Sequence, residues 1–174
     1  MKSGVKKIVM TALFAALACA ATMAIRIPTP GTGGYIHPGD AIVILSGIIL
    51  GAAWGFLAGG VGSALADLLG GYFFYVPITL VIKGLIAFLS AVLYRKVNAR
   101  GKHRCLGVIL GGIADILLVA GGYFLCESFL YGAAGALASV PANLIQGGSG
   151  LVLSLVLYPV LTAVPDVRKM LAAS

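Results

Sequence analysis

The chain alternates between apolar runs and short breaks that contain glycine, proline or basic residues. A transmembrane helix needs about 20 mostly apolar residues, and breaks of this kind punctuate helices. The second run is short for a full span, so we expect it to be tilted, kinked or partly buried by its neighbours. The pattern predicts six transmembrane helices, at approximate residues 5–25, 40–50, 54–69, 75–94, 106–125 and 140–164.

Composition strengthens this prediction. The chain has 174 residues, of which 60% are hydrophobic and 10% charged, and its mean hydropathy is +1.08. A soluble domain needs more polar residues than this to cover its surface. Six helices with short loops also leave no length for a separate soluble domain. We therefore expect an all-α integral membrane protein, with residues 1–174 forming one six-helix membrane domain.

The formal net charge of +7 comes from basic residues at the ends of apolar runs. Six crossings place all three basic patches on one side, as the positive-inside rule requires, and predict that both termini are cytoplasmic. A nucleic-acid surface would instead interleave basic and aromatic residues, so nucleic-acid binding is not expected. The patches contain Lys2, Lys6 and Lys7; Arg95, Lys96, Arg100, Lys102 and Arg104; and Arg168 and Lys169.

Motifs for catalysis, nucleotides and metals are missing from the sequence. It contains no GxxxxGK[ST] loop, no GxSxG and no HExxH. Its three cysteines form no CxxC pair, and His37 and His103 lie far apart, which makes a poor ligand set for nickel or cobalt. We therefore expect no enzyme activity, no cofactor and no metal site.

The break GTGGYIHPGD, residues 31–40, is unusually polar for its surroundings. The predicted topology places it on the side opposite the termini. Its glycines allow mobility and unusual backbone angles, while Tyr35 and His37 can stack and form hydrogen bonds. We interpret it as a flexible lid over an outward-facing cavity. The simpler alternatives are that His37 is an ordinary loop histidine and that Asp40 is the N-cap of the next helix.

Polar residues inside the predicted spans form stripes at helical spacing, as in Tyr75, Thr79 and Lys83 and in Asp115, Tyr123 and Glu127. Charged groups inside a bilayer normally face a cavity or a charged partner, so Asp67 could instead form a salt bridge with Lys83. Aromatic residues near Tyr75 could belong to an interfacial belt. The predicted substrate-binding residues are Tyr35, His37, Asp67, Tyr75, Thr79, Lys83, Asp115, Tyr123, Glu127, Asn143 and Gln146.

The first predicted helix carries an alanine ridge, in which Ala12, Ala16 and Ala20 are four residues apart. Small residues let helix backbones approach closely inside membranes. Such a ridge usually packs within its own protein. It could also be a docking face for another membrane subunit.

The sequence resembles the substrate-binding (S) components of energy-coupling factor (ECF) transporters, especially the small riboflavin-type and unassigned group. The resemblance spans nearly the whole chain and is carried mainly by YIHPGDAIVILSGIILGAAWGFLAGGVGSALADLLGGYFFYVPITLVIKGLIAFL. It implies a high-affinity substrate-capture subunit in the prokaryotic plasma membrane. It further implies association with a membrane coupling subunit through the AxxxA motif, here Ala12, Ala16 and Ala20, and with two cytoplasmic ATPases that hydrolyse ATP.

The polar stripes favour a small heteroaromatic ligand, because they offer donors, acceptors, both signs of charge and several tyrosines. A B6-like or pyrimidine-type ligand is slightly favoured, ahead of a deazaguanine base or riboflavin. Two other functions remain open at this stage. One is a small secondary transporter or channel, and the other is a structural membrane subunit without a ligand.

Overall fold

The computed structural model describes residues 3–98 and 103–173. Lys2, Arg100 and Lys102, members of two predicted basic patches, lie outside the described residues. The helices are α1 (Ser3–Ala24), α2 (Asp40–Leu50), α3 (Ala52–Gly70), α4 (Tyr75–Asn98), α5 (Arg104–Ala163) and α6 (Pro165–Ala173). Two short strands, β1 (Ile27–Pro28) and β2 (Tyr35–Ile36), lie between α1 and α2.

Helix α2 lies at the centre of the bundle, and nearly all of its residues are buried. At about 1.5 Å per residue, an 11-residue helix spans only half of a bilayer core about 30 Å thick. Its packing depends on close backbone contact, since a Cβ atom at Gly47 would lie 1.9 Å from the backbone oxygen of Ala87 in α4. The short second run is therefore a buried central helix.

The 60 residues of α5 form two antiparallel arms that meet at Gly132, where φ is 79° and ψ is 160°. Contacts between the arms join residues that lie at similar sequence distances before and after this glycine. Gly147 approaches Ile116, Gly112 approaches Leu151, and Ser139 hydrogen-bonds Glu127. Residues 126–139, which the sequence pattern leaves between the fifth and sixth predicted helices, are helical except at Gly132. Alanine-rich segments favour helix, which explains the difference.

Four helices in the described ranges are long and apolar enough to cross a membrane, namely α1, α3, α4 and α5. Over residues 3–98 and 103–173 the fold is a helical bundle with one small β-ribbon. The interruption at Gly132 lets the two arms of α5 run alongside each other rather than extend as one rod of about 90 Å. Arg95 and Lys96 of the second basic patch belong to the last turn of α4.

Strands β1 and β2 pair antiparallel, with Ile27 opposite Ile36 and Pro28 opposite Tyr35. The backbone N–H of Thr29 donates to the carbonyl of Gly34 across the ribbon at 3.1 Å. Gly31 has a φ of 76°, which glycine adopts without strain, and it packs against Gly135 of α5. The polar break after α1 is thus a hairpin seated on the bundle.

Helix α6 is not anticipated by the apolar pattern because it is short and amphipathic. Pro165 occupies its first turn, a favoured position for proline, and Val167 and Met170 bury its apolar side. Lys6 of α1 forms an ion pair with Asp166 of α6. The start of α1 and the start of α6 therefore lie at the same end of the bundle.

Candidate functional site

A polar cavity lies beneath the β1–β2 hairpin, at the end of the bundle opposite the Lys6–Asp166 pair. The hairpin and its flanking residues cover it, while α3, α4 and both arms of α5 supply the walls. Its lining combines hydroxyl, phenol, carboxyl and amide groups. The lining residues are Thr29, Gly34, Tyr35, His37, Asp67, Tyr75, Thr79, Tyr123, Glu127 and Asn143.

The cavity is small. About 20 Å³ is accessible to the centres of water-sized molecules. On that measure roughly 10–15 Å³ accommodates one water molecule. A vitamin-sized molecule therefore requires the side chains or the hairpin to move apart.

Two carboxyl groups reach the cavity, and each is held by phenol or hydroxyl donors. The hydroxyl of Tyr35 donates to Oδ1 of Asp67 at 2.6 Å. The hydroxyl of Tyr75 donates to Oε1 of Glu127 at 2.9 Å, and Ser139 donates to the other oxygen. Asp67 and Glu127 are almost fully buried, with 4% and 2% exposure. The site therefore offers hydrogen-bond acceptors in a setting that largely excludes water.

A second polar cluster lies beside the cavity and joins three helices. The ammonium of Lys83 lies 2.5 Å from Oδ1 of Asp40, and Gln146 donates to Oδ2 of Asp40 at 2.8 Å. The N-cap prediction for Asp40 is wrong, because Gly39 is the N-cap and Asp40 instead directs its carboxylate into the core. Asp67 is not the ion-pair partner of Lys83, which is paired with Asp40.

His37 connects the hairpin to this second cluster. Its backbone N–H donates to Oε1 of Gln146 at 3.2 Å, and its Nδ1 accepts from the backbone N–H of Gly39 at 3.1 Å. Burial lowers the pKa of His37 from 6.5 to about 4; Asp40 opposes this shift, and Lys83 and Arg26 add to it. The imidazole is therefore neutral at physiological pH, which leaves Nδ1 free to accept.

Tyr35 is held from two sides. The guanidinium of Arg26 lies 5.1 Å from the centre of its ring and 5.8 Å from that of Tyr72. Arg26 also donates to the backbone oxygen of Ala66 in α3 at 3.2 Å. Burial, followed by the hydrogen bond to Asp67, raises the pKa of Tyr35, which therefore stays a neutral donor. These contacts attach the hairpin to α3.

Asp115 is fully buried and lies outside the cavity lining. Within the described ranges, neither of its carboxyl oxygens has a hydrogen-bond partner. A Cβ atom at Gly150 would lie 2.7 Å from Oδ2 of Asp115 and 2.8 Å from Cβ of Asp40, so the two acids flank the same glycine. The predicted stripe on α5 is consequently divided, with Tyr123 and Glu127 at the cavity and Asp115 deeper.

The structure brings eight of the eleven predicted binding residues to the cavity wall. Lys83, Asp115 and Gln146 are the three that do not line it. Sequence reasoning missed Thr29 and Gly34 in the lining, and Asp40 and Ser139 as hydrogen-bonding partners. Ser139 could have been identified from the sequence, because it lies one helical turn before Asn143. The amide of Asn143 donates to it at 3.4 Å.

The alanine ridge lies on the outside of the bundle. Ala12, Ala16 and Ala20 are exposed, whereas Phe14 and Ala18 on the opposite side of α1 are buried. The ridge therefore does not pack within this chain. Within the described ranges, no group of three His, Cys, Asp or Glu side chains is placed to hold a metal ion.

The sequence of the chain is similar to those of known proteins. An uncharacterised protein of Pyrococcus woesei is 38% identical over 132 residues, which cover 76% of this chain and 85% of the relative. The thiamine precursor transporter HmpT of Lactococcus lactis subsp. cremoris is 27% identical over 158 residues, covering 90% of this chain and 88% of HmpT. The profile of the family described as "ECF-type riboflavin transporter, S component" matches residues 2–163. The predicted resemblance is thereby confirmed, and the chain belongs to the family of ECF-type riboflavin transporter S components.

Proposed function

We propose that this protein captures a small polar heteroaromatic vitamin, or a precursor of one, for an ECF-type importer. The observation that carries the proposal is the cavity, where Tyr35, Tyr75 and Tyr123 surround the carboxyl groups of Asp67 and Glu127. The family consists of transporter components and not of enzymes. The task of the site is therefore to bind and release a molecule, and no bond in the ligand has to change.

The donors and acceptors in the lining favour a ligand with amino or ring N–H groups. Asp67 and Glu127 provide acceptors, and no lysine or arginine that the structure describes belongs to the lining. A buried acceptor that loses its partner costs about 1–3 kcal/mol, so the site discriminates against ligands without donors. Phenol rings can pack against a flat heteroaromatic ring. A B6-like or pyrimidine-type ligand fits this chemistry best, with a deazaguanine base or riboflavin as the next candidates.

The relatives support a vitamin-related ligand without naming it. HmpT is named as a transporter of a thiamine precursor, and the matched family is named for riboflavin. Both names are those of nutrients taken up by a membrane protein. The small cavity favours the smaller of these candidate ligands, since less movement of the hairpin would admit them.

We further propose that the chain crosses the prokaryotic plasma membrane six times with both termini in the cytoplasm. The two antiparallel arms of α5 supply the fifth and sixth crossings. The second is supplied by α2, which is shorter than the bilayer core and is enclosed by its neighbouring helices. Lys6, Arg104 and Arg168 then lie at the cytoplasmic end, in keeping with the positive-inside rule. The hairpin and the cavity face outwards, where the substrate is captured.

The exposed alanine ridge supports docking to a membrane coupling subunit. Because Ala12, Ala16 and Ala20 have small side chains, a partner helix could approach the backbone of α1 closely. ATP hydrolysis is assigned in this proposal to two partner ATPases. A structural subunit without a ligand is the less favoured function, because it gives no role to the carboxyl groups in the cavity.

A ligand screen on the purified protein tests the proposal. Thermal unfolding in detergent would be measured with pyridoxine, aminopyrimidines, deazaguanines and riboflavin. A ligand at 100 times its dissociation constant should stabilise the folded state by about 2.7 kcal/mol. We expect one ring class to raise the unfolding temperature clearly more than the others.

A cavity-filling variant provides the control. A Cβ atom at Gly34 would lie 3.2–3.3 Å from Thr29, Glu127 and Tyr75, so Gly34→Phe places a ring in the cavity. Gly121→Phe is the matched control because a Cβ atom there meets nothing within 4 Å. Stabilisation should vanish in Gly34→Phe and persist in Gly121→Phe. Equal stabilisation of both variants would place the ligand elsewhere, and no response to any compound would contradict the proposal.

A further inference from the structure

A second cavity lies at the opposite end of the bundle, beside the ends of α4, α5 and α6. It offers about 300 Å³ to the centres of water-sized molecules, against about 20 Å³ for the cavity under the hairpin. Three helices contribute to its wall, and its lining is basic, polar and apolar in part. The lining residues are Tyr94, Asn98, Arg104, Thr162, Arg168, Leu171 and Ala172.

The described residues that line this cavity carry positive charge. Arg104 and Arg168 both line it, and among the described residues no acidic side chain does. The acid of α6, Asp166, is engaged by Lys6, and neither arginine belongs to an ion pair among the residues described. Both side chains are exposed, and two like charges at one cavity attract an anion more strongly than either does alone. Guanidinium groups bind phosphate oxygens in bidentate geometry, which a single lysine cannot do.

The start of α5 adds donors at the same place. Arg104 is its first residue, and its N-cap, His103, makes no capping hydrogen bond through its side chain. The first N–H groups of a helix lack partners within the helix and carry a partial positive charge. Helix N-termini favour anions for this reason. The positive end of α5 therefore adds to the charge of the two arginines.

Polar side chains from two further helix ends complete the cavity. Asn98 is the last residue of α4 and can donate through its amide, while Thr162 hydrogen-bonds its own helix through the carbonyl of Tyr158 at 2.8 Å. Tyr94 and Tyr158 share a hydrogen bond of 2.6 Å at the base. Leu171 and Ala172 form an apolar side of the cavity. A ligand with an anionic head and an apolar continuation matches this division.

We propose that this cavity binds a phosphate ester, of the kind carried by the headgroup of an anionic phospholipid. The two guanidinium groups hold the phosphate, and the apolar side accommodates the start of the acyl chains. Basic cavities between helix ends are suited to anionic headgroups at the membrane surface. A soluble phosphate ester presents the same phosphate chemistry, and the experiment below distinguishes the two sources. The proposal is independent of the substrate captured under the hairpin.

Native mass spectrometry of the full chain in detergent tests this site. The protein would be mixed with phosphatidylglycerol or phosphatidylcholine, and the retained lipid measured. We expect preferential retention of phosphatidylglycerol, and a loss of about tenfold or more when Arg104→Gln and Arg168→Gln are combined. The matched control combines Arg95→Gln with Lys96→Gln, which removes the same charge from exposed residues outside the cavity lining. Retention by this control should stay within about twofold.

The outcomes distinguish a specific binding site from non-specific attraction to a basic surface. Equal losses in both double variants, or no loss in either, would overturn the proposal, as would equal retention of the two lipids. Asn98→Leu leaves the charge unchanged and should still weaken retention by about threefold, which keeps the test valid if the double arginine variant unfolds. Excess glycerol 3-phosphate should leave the lipid bound if the headgroup is the ligand. Displacement of the lipid would support the same phosphate site and assign it to a soluble ester.

Discussion

The ammonium of Lys83 lies 2.5 Å from Oδ1 of Asp40, and neither side chain has any exposed surface. Lys83 belongs to α4 and Asp40 begins α2, so the pair joins the central helix to its neighbour. Gln146 occupies the second carboxylate oxygen at 2.8 Å and brings in the second arm of α5. Three helices are therefore held at one depth, directly beside the cavity.

Replacing Lys83 with methionine should destabilise the protein strongly. The substitution leaves the Asp40 carboxylate buried without its cation, and breaking a buried pair in this way costs about 3–5 kcal/mol. Thermal unfolding in detergent measures the effect, with exposed Lys96→Met as the control. Adding Asp40→Asn to Lys83→Met should recover part of the loss, because the unpaired charge is then removed. An unfolding temperature equal to that of the control would show that the pair contributes nothing.

The arrangement of α4 could be predicted from sequence because it depends on local periodicity. Tyr75, Thr79 and Lys83 recur every four residues, so a helix must place them on one side, and all three are buried there. The same reasoning placed Tyr123 and Glu127 together on α5. Which residues share a helical face can be predicted without knowledge of the remainder of the fold.

Contacts between distant segments could not be predicted in this way. Asp40 precedes an apolar run, and the local pattern is the same whether its carboxylate caps the helix or enters the core. Only the burial of α2 at the centre of the bundle places it opposite Lys83, 43 residues away. The reversal at Gly132 was equally hidden, because the surrounding alanines and glycines are typical of both a loop and a membrane helix.

Substituting Glu127 with glutamine should weaken ligand binding by about tenfold to a hundredfold. The substitution removes a charged acceptor, and hydrogen bonds to charged groups contribute about 1.5–3 kcal/mol. Isothermal titration with the compound found by the ligand screen gives the affinity. Asp166→Asn is the control, since it removes an acidic group at the far end of the bundle. Unchanged affinity in Glu127→Gln would exclude this carboxyl group from ligand binding.

Placing alanine at Gly31 should loosen the hairpin over the cavity. A Cβ atom there would lie 2.8 Å from Cβ of Ala138 and 2.9 Å from the backbone oxygen of Gly135, so the hairpin must move away from α5. The N–H of Thr29, which bonds the carbonyl of Gly34, should then exchange with deuterium faster, along with that of His37.

Gly71→Ala is the control for backbone strain at Gly31. Gly71 has a comparable φ of 82°, and a Cβ atom there meets nothing within 4 Å. Both substitutions place alanine in a left-handed backbone conformation and should each destabilise the protein by about 1 kcal/mol. Only Gly31→Ala should disturb the hairpin. Equal exchange at Thr29 and His37 in the two variants would show that contact with α5 does not hold the hairpin closed.

Acidification should destabilise the protein through His37. Its pKa falls from 6.5 to about 4 on folding, mainly through burial, so the unfolded chain binds the proton more readily. The stabilising contribution is complete above pH 6.5 and is lost as pH falls towards 4, by at most about 3 kcal/mol. His37→Gln should flatten this part of the profile of unfolding temperature against pH. His103→Gln, at an exposed residue, should leave the profile as it is, and identical profiles for wild type and His37→Gln would contradict the assignment.

Replacing Ala16 with tryptophan should separate transport from capture. Ala16 is exposed on α1, so a bulky side chain leaves the bundle intact but obstructs a partner helix, at a cost of about 1–3 kcal/mol at a packed contact. Uptake by cells that contain an ECF module should fall about tenfold, while the purified variant binds its ligand with unchanged affinity. Leu117→Trp, on an exposed position of α5, should keep both activities. If Ala16→Trp lost uptake and ligand binding together, the alanine ridge would be part of the fold of the binding site rather than a separate docking surface.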